Sequence, residues 1–232
     1  MEPNWDEVLR VVQDVGCSLG LRAVLVAGSW ARGQADEASD VDILAITHSG
    51  PRSVLAGLHD DQFIEVLYAP LNDLDPRTHP PARATFQGAR VLFDPEGVGL
   101  AWVSRLETYL AGARPPGAAL LSYQVWNLRH ALHTIDTLSR ADDLVSLLYV
   151  RNRFAEELVA YLYTKAGVWI PGVRRQIDGL VRICPESVPL VTTLLLAVRP
   201  DEVAQAAQCA YARLVAEWQL PQLARAPLLP LP

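Results

Sequence analysis

The chain has 232 residues and half of them are apolar, which is enough for one large domain or for two small ones with cores of their own. Its formal charge is −6 and its isoelectric point is about 5.3. This acidity argues against nucleic acid as the main partner, because proteins that bind phosphate backbones usually carry a basic patch. The most apolar late stretch, residues 188–198, is too short to span a bilayer, so no membrane partner is expected.

The cysteines and the N-terminus indicate the compartment. Cys17, Cys184 and Cys209 are odd in number, far apart and set among apolar residues, and none has the spacing of a metal motif. They predict buried thiols in a reducing compartment. The acidic start of the chain lacks the charged and apolar regions of a signal peptide. We therefore expect a cytoplasmic protein.

The first half of the chain alternates short apolar runs with turn signals. Asn4 is placed to cap a first helix that ends near Gly16 and Gly20. The patterns that follow predict, in order, a strand at 23–27, a short helix at 30–36, a strand at 41–47, a helix at 51–58, a strand at 62–69, loops over 70–88, a strand at 89–93 and a helix at 99–110. The helix at 51–58 depends on Pro51, which suits a first helical turn.

The second half of the chain predicts only helices. A segment rich in Gly and Pro at 112–117 is the best linker candidate, and apolar residues then recur at three and four positions. The predicted helices lie at about 118–138, 142–166, 174–184, 187–198 and 201–219. We therefore predict an α+β protein with a small mixed-sheet domain at 1–114, an antiparallel helical bundle at 118–220 and an extended tail at 221–232.

The acidic charge belongs to the first of these parts. Residues 1–117 hold 16 acidic and 9 basic residues, a net of −7, whereas residues 118–232 hold 10 acidic and 11 basic residues, a net of +1. Asp40 and Asp42 are two residues apart near the start of a predicted strand, so their side chains project to the same face. Two neighbouring carboxylates repel each other, and a hard cation such as Mg²⁺ would relieve this. The Gly28–Ser29 turn ahead of them suits phosphate.

Gly28 and Ser29, followed after ten residues by Asp40-Val41-Asp42, resemble the signature of the nucleotidyltransferase superfamily with the polymerase-β-like fold. The flanking sequences are most similar to those of aminoglycoside nucleotidyltransferases and of bacterial minimal nucleotidyltransferases, which couple the catalytic domain to a helical C-terminal domain. The signature covers about residues 22–47. The order of the domains extends the resemblance loosely over the whole chain.

The resemblance implies a role for each signature residue. Gly28 and Ser29 would hold the β- and γ-phosphates of a nucleoside triphosphate, and Arg32 would reach phosphate oxygens from the first helical turn. Asp40 and Asp42 would bind two Mg²⁺ ions, which lie about 3.5–4 Å apart in such sites. Glu65, a carboxylate in an otherwise apolar predicted strand, matches the third acid of the family. It would serve as a metal ligand or as the general base.

The implied reaction moves a nucleoside monophosphate from a nucleoside triphosphate, with ATP favoured, to an acceptor hydroxyl and releases pyrophosphate. A small molecule or a protein side chain would be the acceptor, and RNA is disfavoured by the acidic charge. The alternative is a catalytically silent nucleotide-binding protein of regulatory or antitoxin-like type. In the helical half, Glu156 and Glu157 are candidates for an assisting acid, and a solvated ion-paired face is the rival interpretation. A homodimer is left open.

Overall fold

The computed structural model of the chain describes residues 3–37, 39–59, 62–76, 86–112, 117–141 and 143–215. The chain divides into two units, Met1–Gly112 and Ala113–Pro232, each with its own contacts and core. The predicted tail at 221–232 and most of the predicted linker lie outside the described residues.

The first unit is built on one mixed sheet. Its described helices and strands are α1 (Trp5–Gly16), β1 (Leu21–Val26), α2 (Gly28–Ala31), β2 (Val41–Thr47), β3 (Ser53–His59), β4 (Gln62–Pro70), β5 (Arg90–Phe93) and α3 (Val98–Ala111). The five strands lie in the order β3-β4-β2-β1-β5. Only the β2–β4 pair is parallel; the other pairs among these strands are antiparallel.

The two faces of this sheet are covered by different helices, and the period of two along each strand decides which residues each helix meets. On one face Val24 and Val26 pack in the same cluster as Val12 of α1. On the other face Leu25 packs in the same cluster as Trp102 of α3. The ring nitrogen of the buried Trp102 donates a hydrogen bond of 2.8 Å to the carbonyl oxygen of Leu74, so the indole is both packed and satisfied.

The predicted helix at 51–58 is wrong, because this segment forms the strand β3. It pairs antiparallel with β4 along its whole length, from Ser53 opposite Tyr68 to His59 opposite Gln62. A short apolar run fits both a helix and a strand, and Pro51 before it is compatible with either. The decision comes from β4, whose backbone groups pair with those of β3 and offset the weak local preference.

The second unit is helical throughout its described elements, as predicted. It contains α4 (Ala118–Ala141), α5 (Leu144–Lys165), α6 (Gln176–Ile183), α7 (Ser187–Leu196) and α8 (Pro200–Leu214). The side chain of Asp143 caps α5 by accepting a hydrogen bond of 3.1 Å from the amide of Ser146. The predicted α+β class, with a mixed sheet followed by helices, is confirmed. Within the described ranges, no helix has both the length and the apolar character needed to cross a bilayer.

The cysteines correct one prediction. All three are unpaired, but Cys17 is exposed, and Cys184 and Cys209 are only partly buried. The expectation of three buried thiols is therefore wrong. Cys17 lies in the single 3₁₀ turn after α1.

Candidate functional site

The two aspartates of the signature lie at the start of the central strand β2. Asp40 is exposed and directly precedes the strand, whereas Asp42 is half-buried within it. Val41 and Ile43, between and after them, belong to the core on the α1 side of the sheet. Because side chains alternate along a strand, Asp40 and Asp42 point to the opposite face, as the sequence predicts.

Glu65 comes to this place from the neighbouring strand β4. In the parallel pairing of β2 with β4, Glu65 lies directly opposite Asp42. Residues paired in this way project to the same face of a sheet. Glu65 is exposed, and its partner on the other side is Ala56 of β3, a side chain too small to cover it. The register thus brings together three carboxylates that are separated by 25 residues in the chain.

The electrostatics of Asp42 show how close these groups are. Burial, followed by the charges of Asp40 and Glu65, raises the pKa of Asp42 from 3.8 to about 6, and the charge of Arg32 opposes this rise. None of these causes is a hydrogen bond. Asp42 is therefore a carboxyl held in a negative and partly desolvated environment, where a cation would be favoured.

The Gly28–Ser29 turn packs directly on this carboxyl. Gly28 has φ +64°, and a side chain added there would collide with Oδ2 of Asp42. Only glycine meets both conditions, the left-handed backbone and the close approach. The amide of Ala27 donates a hydrogen bond of 2.8 Å to the carbonyl oxygen of Asp42, which fixes the end of β1 against β2. The first amides of α2, including that of Ser29, have no acceptor within this helix.

Arg32 directly follows α2, and it is the cation whose charge acts on Asp42. Its Nε donates a hydrogen bond of 3.4 Å to the side-chain oxygen of Gln34. The predicted short helix at 30–36 is in fact the single turn Gly28–Ala31. The backbone turns at Gly33, which has φ +66°, and this turn ends the helix after Arg32. The guanidinium of Arg32 therefore stays close enough to Asp42 for its charge to act on that carboxyl.

Two polar residues that sequence reasoning did not select hold the loop before Asp40. The hydroxyl of the buried Ser39 donates a hydrogen bond of 2.7 Å to Oδ1 of Asp36 and accepts one of 2.9 Å from the Asp36 amide. Trp30 donates from its ring to the carbonyl oxygen of Ser39 at 3.5 Å and meets Trp5 edge-on. The spacing Asp-x-x-Ser was a readable signal for such a turn.

The fit of this site to a metal rests on its charges. Across the part of the chain that the structure describes, no three His, Cys, Asp or Glu side chains stand as a ready-made metal site. However, the register places the backbones of Asp42 and Glu65 side by side, and Asp40 is close enough to raise the pKa of Asp42. Oxygen donors in a negative environment are what Mg²⁺ prefers. The donor set fits the predicted cation without showing how it would be coordinated.

Glu156 and Glu157, the candidate assisting acids in the second unit, differ in their exposure. Glu156 is exposed, whereas Glu157 is half-buried, and burial raises the pKa of Glu157 while a hydrogen bond with Asn127 and the charge of Arg153 lower it. On α4, the rings of Tyr123, Trp126 and His130 form a stacked row with centroid distances of 6.2 Å and 5.7 Å. His130, at the end of this row, is exposed.

Comparison with known proteins adds evidence on the fold. No protein-family model and no curated protein sequence matches the chain. A solved structure does: the nucleotidyltransferase-like protein from Exiguobacterium sibiricum 255-15 superposes with a TM-score of 0.52 at 13% sequence identity, over 91% of this chain and 74% of that one. The chain has a nucleotidyltransferase-like fold. At this identity the likeness concerns the fold alone, and it extends over both units.

Proposed function

We propose that the protein is a nucleotidyltransferase that transfers a nucleoside monophosphate from a nucleoside triphosphate, ATP in the first place, to an acceptor hydroxyl. The observation that carries the proposal is the register of β2 and β4, which sets Glu65 directly opposite Asp42. With Asp40 it makes one acidic centre (Asp40, Asp42 and Glu65), next to a glycine turn that packs against Asp42 only because Gly28 has no side chain.

Each residue has a task in this reaction. Gly28 and Ser29 would bind the β- and γ-phosphates through backbone amides and the Ser29 hydroxyl, and Arg32 would pair with a phosphate oxygen. Asp40 and Asp42 would hold the two Mg²⁺ ions, and Glu65 would be either a third metal ligand or the general base. When bound, these ions would neutralise charge on the leaving pyrophosphate and activate the acceptor oxygen.

The bond changes balance without an external reagent. The acceptor oxygen forms a bond to the α-phosphorus, and the bond from that phosphorus to the bridging oxygen breaks, which releases pyrophosphate. The acceptor hydroxyl gives up its proton in this step, and Glu65 would accept that proton in its role as the general base. With a pKa of about 6, Asp42 is half charged near pH 6, so that full charge on the acidic centre without bound metal requires a pH of about 8.

The acceptor belongs to one of two classes, a small molecule or a protein side chain, and the finer resemblance to aminoglycoside and minimal nucleotidyltransferases motivates both.

The three unpaired cysteines fit a reducing compartment, and on that ground we keep the cytoplasm as the proposed location.

Transfer of an α-labelled nucleotide tests the proposal. The full chain is incubated with each of the four nucleoside triphosphates, Mg²⁺ and a panel of small-molecule and protein acceptors, and both acceptor labelling and pyrophosphate release are measured. The double variant Asp40→Asn/Asp42→Asn should lose both signals, whereas Glu37→Gln, an exposed acid of the same loop, should keep them. If the unaltered chain transfers nucleotide to no acceptor, and the double variant still binds nucleotide, the enzyme proposal fails and the silent nucleotide-binding alternative stands.

A further inference from the structure

The strand β3 forms one edge of the sheet, and its own residues carry none of the usual features that block pairing at such an edge. Among the described strands it pairs only with β4. All six residues from Ser53 to Leu58 are exposed, and none is charged. The strand contains no proline, and its register with β4 runs without a bulge. Soluble proteins normally blunt a sheet edge with charges, prolines or bulges, so an open apolar edge of this length indicates a pairing surface.

Apolar side chains stand on both faces of this edge. On the face of the acidic centre, Val54, Leu58 and Phe63 are 59%, 76% and 47% exposed. On the other face, Leu55 and Gly57 line an apolar groove against α1, together with Val8, Val11, Val12, Ile64 and Val66. A single added strand would cover both sets at once, because its own side chains alternate between the two faces.

The sequence of β3 is complementary to itself. We propose that β3 pairs antiparallel with β3 of a second copy of this chain, with Ala56 on the two-fold axis, so that ten strands form one sheet. In this register Leu55 lies opposite the partner's Gly57, where a side chain would meet nothing within 4 Å, so there is room for the leucine. Val54 lies opposite the partner's Leu58, an apolar pair that the two-fold axis repeats.

Charge is compatible with this contact although the first unit is acidic. The pairing buries no charged side chain of β3. Ala56 is paired with Glu65 across β4, so the two Glu65 backbones would lie three strand spacings apart, about 14–15 Å. That exceeds the Debye length of about 8 Å at physiological salt. The axis is perpendicular to the sheet, and the two acidic centres would therefore face the same side.

Charge-swap variants test the register. Sedimentation of the full chain over a range from low micromolar to submillimolar concentration should show a monomer–dimer equilibrium. Val54→Lys/Leu58→Lys sets two lysine pairs opposite each other and should raise the Kd by at least about tenfold. Val54→Glu/Leu58→Lys sets Glu opposite Lys in the same positions and should return the Kd to near that of the unaltered chain. Circular dichroism checks that each variant is folded.

A cross-link tests the axis directly. In a Cys17→Ser background, Ala56→Cys places two thiols on opposite residues, whose Cα atoms would be about 4.5–5.5 Å apart, within disulfide range. Oxidation should give a covalent dimer. Ser53→Cys is the matched control, because Ser53 would face the partner's His59 and not its own copy.

The proposal would be overturned if the full chain were a monomer at every concentration. It would also be overturned if Val54→Lys/Leu58→Lys did not weaken the dimer, or if Val54→Glu/Leu58→Lys did not restore the Kd. Equal cross-linking at positions 53 and 56 would contradict the position of the axis. A chain that ends at Val215 and dimerises when the full chain does not would assign the edge to residues 216–232 instead.

Discussion

Replacing Asp42 by asparagine should stabilise the protein at neutral pH, although it removes a proposed ligand. The pKa of Asp42 rises from 3.8 to about 6 in the folded chain because burial and two neighbouring carboxylates disfavour its charge. A pKa difference of one corresponds to about 1.36 kcal/mol, so that the rise from 3.8 to about 6 means that the charged form of Asp42 costs the folded state roughly 3 kcal/mol. The carboxyl is only partly buried, so screening by water reduces this to about 1–2 kcal/mol.

The direction of the pH dependence follows from linkage. A folded-state pKa above the unfolded value means that the folded protein binds the proton more tightly, so Asp42 destabilises the fold increasingly as the pH rises from 3.8 through 6. Asparagine lacks this titration. The advantage of Asp42→Asn should therefore be full at pH 8, fall to about a third of that at pH 4.5 and vanish below pH 3.

Urea unfolding at pH 8 and pH 4.5 measures the difference, and Glu37→Gln serves as the control because Glu37 is an exposed acid in the same loop. An increase of about 1–2 kcal/mol corresponds to a rise in Tm of roughly 2–8 °C. Saturating Mg²⁺ at pH 8 should stabilise the unaltered chain more than the Asp42→Asn variant. Equal stability of the two proteins at pH 8, or a gain that does not shrink at low pH, would refute the account of Asp42 as a strained carboxyl.

Two glycines give further predictions. Gly28→Ala should lower the free energy of unfolding by at least about 1 kcal/mol more than Gly33→Ala. Both residues have positive φ, but only a methyl group added at position 28 would collide with Asp42. Urea unfolding of the two variants gives the comparison, and equal losses would contradict the prediction. Gly179→Ala, in the middle of α6, should destabilise the second unit although alanine favours helices, because the new methyl group would overlap the hydroxyl of Tyr163. Calorimetry of Gly179→Ala beside Gly179→Ala/Tyr163→Phe separates the two effects, and the double variant should recover most of the loss.

The local sequence was sufficient wherever a signal and its structure lie within a few residues. Asn4 caps α1 by accepting from the Glu7 amide at 3.4 Å, as its position predicts. The apolar runs on either side of Gly28–Ser29 form β1 and β2. The helical pattern of the second half was also readable, because a 3.6-residue period repeats over many turns.

Long-range pairing decided the remaining features. The segment at 51–58 is a strand only because β4 offers it a partner, and no property of its own residues distinguishes it from a helix.

The acidic centre shows both contributions in one place. Sequence by itself determined that Asp40 and Asp42 share a face, because the side-chain period of a strand is two. Tertiary structure alone decided that Glu65 lies opposite Asp42, since parallel pairing between strands that are distant in the chain sets that register. The raised pKa of Asp42 and the need for glycine at position 28 were also decided by the tertiary structure, because burial and proximity are properties of the folded chain.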